Sequence, residues 1–303
     1  MKISVIVPIY NMEKFITQTI SCLKKQDQDE SELEVLLIND GSTDATLGIL
    51  DQLCEDDKRF HIFNIENHGY GYACNLGLQK ATGDFVAIYE PDDRITSDFY
   101  STLRRIAEKY KQVDVIRYSG LYREEENQLK ALYRWKPKFT GKILDKYTLA
   151  NFWRSHPSVF NGIYRRNFLL QKSVFFCETP GASFQDAMFM VSLFYADPSI
   201  YVVNDIKYTY VIHSMQSTKF VEDKIDFIID AWKKEAEWIE KNGFTCKDFF
   251  LYRVFIQMEN IAKKVSFENK EKLEQAFKYL RNGERYLRGS IPTFKQKIRY
   301  ILT

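Results

Sequence analysis

The chain has 303 residues, 45% hydrophobic and 28% charged, with 43 Lys+Arg against 41 Asp+Glu for a formal net charge of +2. That balance excludes a protein that binds nucleic acid through bulk charge, and the length allows one large domain or two modest ones with ample core. The five cysteines (Cys22, Cys54, Cys74, Cys177, Cys246) are scattered and show no CxxC. This argues against a zinc site or a disulfide framework and fits a reducing cytoplasm.

The opening, MKISVIVPIYNMEKF, has a short apolar run broken by Pro8, so a secretory leader is not expected. No apolar run approaches the ~18–20 residues of a membrane span. The expectation is a soluble, intracellular protein. Strand-like runs follow at 3–9, 34–40, 60–65, 85–90 and 113–118, with helix-like patterns near 12–25, 43–57, 70–81 and 97–111. Met12, Phe15, Ile16, Ile20 and Leu23 fall on one helical face. Apolar strands alternating with helices predict an α/β fold with a mostly parallel central sheet covered on both sides. From 121 to 215 the pattern is less regular, and YREEENQLKALYRWKPKFTGK reads as a polar excursion or flexible loop. Residues 216–303 read as a helical C-terminal region ending in a basic, aromatic tail.

In open parallel sheets, ligands bind beyond the carboxyl ends of the strands. Three strands here end in polar residues: Asn11 after the first, Asp40 after the second, and Glu90 to Asp93 after the fourth. Glu90 and Asp92 alternate with Pro91, so an extended backbone turns both to one side. Oxygen ligands of this kind suit Mg²⁺ or Mn²⁺ shared with a diphosphate. A solvated acidic turn capping the next helix remains the other reading. Neither GxxxxGK[ST] nor GxGxxG is present to hold phosphates instead.

Four segments in series, ISVIVPIYN (3–11), LLINDGSTD (36–44), NHGYGYACNLGLQKATGDFVAIYEPDD (67–93) and FQDAMF (184–189), resemble the family 2 glycosyltransferases over roughly 1–215. The resemblance implies a GT-A fold, with 1–120 as the nucleotide-binding half and 121–215 as the acceptor-side half. It also implies inverting transfer from a nucleotide-diphosphate sugar, most often a UDP-sugar. Carried over, Pro8 and Tyr10 line the nucleoside site and Asp40 accepts from the base. Asn11, Asn67 and Asp93 complete the donor set. Asp92 closes the family's metal motif with Glu90, and Asp186 matches the catalytic base.

His213, 27 residues beyond Asp186, is a metal or diphosphate contact by the same resemblance, or else a structural residue. His156, near Trp153, is an acceptor-side candidate. Two departures stand out. Glu90 replaces the usual Asp, and Ala73-Cys74 stands where the family commonly has Ala-Arg. The implied acceptor is a hydroxyl of a glycan or of a lipid- or protein-linked sugar. The tail, with Arg281, Arg285, Arg288, Lys295, Lys297 and Arg299 among Leu287, Ile291, Phe294, Ile298 and Ile301, suits either peripheral contact with an anionic membrane or packing on its own domain or a dimer mate. A nucleotidyltransferase and a sugar-nucleotide-binding scaffold without turnover are the competing readings.

Overall fold

The computed structural model describes residues 1–26, 31–144, 158–182, 184–216, 221–244 and 248–281. His156, Trp153 and the tail from 282 onward lie outside the described residues.

The first half follows the hydrophobic pattern closely. β1 (Ile3–Ile9), α1 (Ile16–Lys24), β2 (Leu33–Asp40), α2 (Thr46–Cys54), β3 (Phe60–Ile65), α3 (Tyr70–Lys80) and β4 (Phe85–Ile88) alternate along the chain. β1 and β2 are buried at every position, because helices cover both faces of the parallel sheet. Two polar residues inside these strands are satisfied locally. Ser4 donates to Glu34, which also accepts from the Thr82 amide at 2.7 Å and pairs with Lys2 at 2.8 Å. In α1, Ile16, Thr19, Ile20 and Leu23 are buried. Met12 and Phe15 precede the helix and are spent elsewhere.

Beyond β4 come β5 (Arg94–Ile95), α4 (Phe99–Lys109), β6 (Val115–Tyr118), β7 (Gly120–Glu125), β8 (Gln128–Arg134), β9 (Lys142–Ile143) and β10 (Gly162–Arg165). Then follow α5 (Arg166–Gln171), α6 (Gln185–Tyr195), β11 (Ile200–Val203), β12 (Tyr208–Val211), α7 (Ile225–Lys241), α8 (Asp248–Ile261) and α9 (Phe267–Leu280). Among the described residues, one eight-stranded sheet runs β3-β2-β1-β4-β10-β6-β11-β9 and a four-stranded sheet runs β5-β12-β7-β8.

The central sheet is mostly parallel, as expected, with β10 antiparallel to both β4 and β6 and β9 antiparallel to β11. One expectation needs correction. The segment read as a polar excursion is the β7–β8 hairpin. Its turn is made by Glu126 and Asn127, both at positive φ, as a two-residue hairpin turn requires. β8 is exposed along nearly its whole length, so its polar sequence reflects an edge strand rather than an absence of structure.

Candidate active site

A cavity of about 610 Å³ opens at the carboxyl ends of β1, β2 and β4, within the usual range for small-molecule sites. One wall carries Pro8, Tyr10, Asp40, Asn67 and Tyr70; the floor carries Glu90 and Asp92; the opposite wall carries Phe160, Phe184, Asp186, Tyr210 and Met215. Among the described residues, the lining contains four carboxylates and no lysine, arginine or histidine.

The wall carrying Asp40 is a hydrogen-bonded frame. The Asp40 carboxylate accepts from the backbone amides of His68 and Gly69, each at 2.8 Å. The Asn67 side chain donates to the Asp40 carbonyl at 3.0 Å. Asp40 thus fixes the turn into α3 as well as facing the cavity. Gly69 makes that turn at φ 95°, and a Cβ on Gly71 would lie 2.1 Å from the Cys177 carbonyl oxygen. Both glycines let the start of α3 press against the 177–181 backbone. Asn11 does not reach the cavity. Its Oδ1 accepts from the Thr43 amide at 2.8 Å and its own amide donates to Ser42 Oγ at 2.9 Å, so it locks two loops together instead.

The acidic segment after β4 is a turn, not an extended strand, closed by the Asp93 amide on the Glu90 carbonyl at 3.1 Å. Glu90 and Asp92 nevertheless both face the cavity. Asp93 points away. Its carboxylate accepts from the Tyr208 hydroxyl at 2.7 Å and the Val211 amide at 2.9 Å. The expectation that Asp93 and Asn11 face a donor is therefore not met; both are consumed by structure.

Glu90 accepts a hydrogen bond from the Tyr70 hydroxyl at 2.7 Å. Burial, then the charge of Asp92, pushes its carboxyl up to about 8. Asp92 Oδ2 lies 2.8 Å from His213 Nε2, while His213 Nδ1 accepts from the Met215 amide at 3.3 Å. That pattern puts the imidazole proton on Nε2, toward Asp92. The His213 ring rests against Phe15, centroids 4.5 Å apart, which explains why Phe15 left the helical face predicted for it. Cys74, where a cation was expected from the family pattern, is a fully buried thiol held well above its usual pKa by burial and then Glu90. It brings no charge.

Asp186 occupies the first turn of α6, its carboxylate drawn toward the Ala187 amide and its own. Burial pushes its carboxyl up to about 6, against the opposing pull of the Ala187 amide and of Arg253 on α8. Arg253 was not foreseen, since an isolated arginine in a helical pattern carries no signal. The loop before Asp186 is clamped from both sides. Asn75 exchanges two bonds with the Phe176 backbone, each 2.9 Å. From α7, Lys234 donates to the Glu178 carbonyl at 2.8 Å and Trp238 to the Ser173 carbonyl at 2.9 Å. Glu235 of α7 accepts from Ser192 of α6 at 2.6 Å. Gln185 reaches back to Thr179 Oγ1 at 2.9 Å. None of these long-range bonds was legible in the sequence.

Compared with known proteins, residues 4–194 match the model of Glycosyl transferase family 2, and the chain belongs to that family. Poly(ribitol-phosphate) beta-N-acetylglucosaminyltransferase TarS of Staphylococcus aureus is 30% identical over 216 residues, covering 69% of this chain and 35% of TarS. The uncharacterized glycosyltransferase EpsJ of Bacillus subtilis is 27% identical over 216 residues, covering 69% of this chain and 60% of EpsJ. Across such curated relatives the chain spans between about a third and three-fifths of their length. The crystal structure of TarS 1–349 in complex with UDP-GlcNAc superposes with a TM-score of 0.74 at 22% identity, covering 92% of this chain and 80% of that one. Mannosyltransferase PcManGT of Pyrobaculum calidifontis, in complex with GDP-Man and Mn²⁺, superposes with a TM-score of 0.53 at 15% identity, covering 99% of this chain and 85% of that one. The fold is GT-A, with helices following the sheet domain. No described helix is long and apolar enough to cross a membrane.

Proposed function

We propose that this chain is an inverting, metal-dependent glycosyltransferase that moves a sugar from a UDP-sugar to a hydroxyl of a glycan or of a lipid- or protein-linked sugar. The observation that carries the reading is the cavity's charge distribution: Asp186 on one wall, Glu90 and Asp92 on the floor, and no cationic side chain among the described lining residues. Among the described lining residues a diphosphate meets no positive charge unless a divalent cation accompanies it.

The donor set suits that cation. Asp92 offers that cation a carboxylate, and a Mg²⁺- or Mn²⁺-type ion commonly takes one or two protein ligands with phosphate oxygens completing its shell. His213, expected as a ligand, has its Nε2–H on Asp92 and its Nδ1 on the Met215 amide, so it would orient that carboxylate rather than bind the ion. Among the described residues no group of three His, Cys, Asp or Glu side chains is arranged to hold a metal, so substrate oxygens would have to complete its shell. Glu90, tied to Tyr70, supports the floor from behind. When bound, the metal supplies charge neutralisation for the departing diphosphate.

Pro8, Tyr10 and Asn67 border the nucleoside, with Asp40 holding the 67–69 turn against it and keeping lone pairs for a base N–H. Asp186 takes the proton of the acceptor hydroxyl as its oxygen bonds to the anomeric carbon. The bond from that carbon to the diphosphate breaks in the same step, its electron pair leaving with the diphosphate. A base that titrates near 6 is ionised at neutral pH and still basic enough to accept a proton in the transition state.

Thermal unfolding against UDP, GDP and CDP, each with and without Mn²⁺, tests the donor class. Ligand at ~100 times its dissociation constant adds roughly 2.7 kcal/mol. A Mn²⁺-dependent shift with UDP alone is expected. Absence of any nucleotide shift would sink the reading. Donor hydrolysis that vanishes in Asp186→Asn while UDP binding persists separates an enzyme from a binding scaffold.

A further inference from the structure

Phe184 adopts the left-handed conformation, φ 65° and ψ 28°, immediately before the helix that carries Asp186. Bulky residues avoid this region, and such outliers persist only where the surroundings fix them. The backbone here is held on both sides. The Phe184 carbonyl accepts from the Ala187 amide at 3.1 Å, and Gln185 ties the turn to the Gly181 carbonyl at 3.1 Å. Glycine would make the same turn without strain, so the ring is kept for what it touches, the hydrophobic core on one side and the cavity on the other.

That ring lines the cavity with Phe160, Tyr210 and Met215. Phe160 and Tyr210 are nearly parallel, interplanar angle 5° and centroids 6.2 Å apart. Phe160 is stacked at 4.6 Å on Tyr208, itself anchored to Asp93. Phe160 is thus fixed by its neighbours' rings, and this half of the cavity is lined by aromatic side chains together with Gln185, Gln216 and Asp186. Among the described residues no lysine or arginine joins this lining, and Arg253, whose charge acts on Asp186, is not part of it. A pyranose ring offers an apolar C–H face bordered by hydroxyls, which matches apolar walls with a few polar groups. A phosphate-bearing open chain offers neither and asks for cations.

We propose that the acceptor subsite takes the ring of an uncharged pyranose, with Phe184 as the specificity-determining residue that stacks on it and presents its hydroxyl to Asp186. The proposal rests on the transferase reading above.

The test measures UDP release from a panel of UDP-sugars with Mn²⁺, using the full chain. Donor is supplied alone or with methyl β-D-gluco- and galactopyranosides, their 2-acetamido forms, ribitol or ribitol 5-phosphate. A bound pyranoside either accepts the sugar and raises UDP release or displaces water and lowers it. The concentration giving half the effect is expected to rise roughly three- to tenfold in Phe184→Ala, consistent with one lost ring contact, and to stay near wild type in Phe184→Tyr. Phe184→Gly is expected to lose the acceptor effect as Phe184→Ala does, yet to melt no lower than wild type, because its backbone is unstrained. A purely structural role for the ring predicts the reverse pair of results. The proposal is overturned if ribitol 5-phosphate matches the pyranosides, if no pyranoside has an effect, or if Phe184→Ala responds as wild type does. No UDP release from any donor would overturn the transferase reading itself and the subsite with it.

Discussion

β1, β2 and β4 each deliver their cavity residues within a few positions of the strand's carboxyl end: Pro8 and Tyr10, Asp40, then Glu90 and Asp92. The wall carrying Asp186 is assembled differently. Phe160 precedes the four-residue β10, Phe184 and Asp186 open α6, and Tyr210 lies on the second sheet. Their positions depend on bonds between segments tens of residues apart, from Asn75 on one side and from α7 on the other. A parallel sheet fixes its own strand ends through register; the second wall has no such internal ruler and borrows one from the C-terminal helices. Changes to the first wall should therefore act on chemistry directly, and changes to the seam should act through position.

The largest expected effect is chemical. Asp186→Asn should lower transfer by roughly 10²–10⁴-fold, the usual contribution of a general base, with UDP affinity kept. Equal loss of UDP binding would place Asp186 in the nucleotide wall and dissolve the contrast.

At the seam, Gly71→Ala drives a methyl group into the Cys177 carbonyl. It should cost about 1–3 kcal/mol or more, as overpacking does, read as a lowered melting temperature. An unchanged midpoint would show that α3 and the 177–181 backbone are not in firm contact.

Acidity sharpens the same comparison. The Asp186 carboxyl must be ionised to accept a proton, and burial sets it at about 6. Transfer at subsaturating substrate should climb about tenfold per pH unit below 6 and level off above it. A profile flat down to pH 5 would remove Asp186 as the base.

Glu235 bears on stability rather than rate. Its folded pKa is raised to about 8 by burial, so its contribution is fully present below its unfolded value near 4.5 and is lost as pH rises through about 8. Glu235→Gln retains an acceptor for Ser192 and has no such loss. Its advantage in melting temperature should grow from pH 6 to pH 9, on the order of a few kcal/mol at most. A gap that stays constant from pH 6 to pH 9 would mean the carboxylate is already ionised in the fold.

Smallest of all, Lys234→Met removes a half-exposed bond to the Glu178 carbonyl. It should cost less than ~1 kcal/mol of stability while lowering kcat more than it raises KM, because the clamp sets position rather than affinity. Unchanged turnover would relieve α7 of any role in placing Asp186.

Much of this molecule is written locally. Hydrophobic period located β1 to β4 and the helices between them, strand-end polarity pointed to Asp40, Glu90 and Asp92, and the family resemblance pointed to Asp186; all four line one cavity. Such features follow from side-chain sequence alone, since burial on both faces demands continuous apolar strands. The polar β7–β8 hairpin was misjudged because an exposed edge strand has no buried face to impose alternation. Asn11 and Asp93 looked available from their types and turned out to be spent on neighbouring loops and on β12.

Sequence by itself determined the α/β half and the set of carboxylates. Only tertiary structure decided which of those carboxylates face the cavity, how their acidities diverge, and that Phe184, Phe160 and Tyr210 line it together with Asp186. The reason is physical: a hydrogen-bond partner, a burial environment and a ring-to-ring contact are properties of residues far apart in the chain, and no local pattern encodes where they meet.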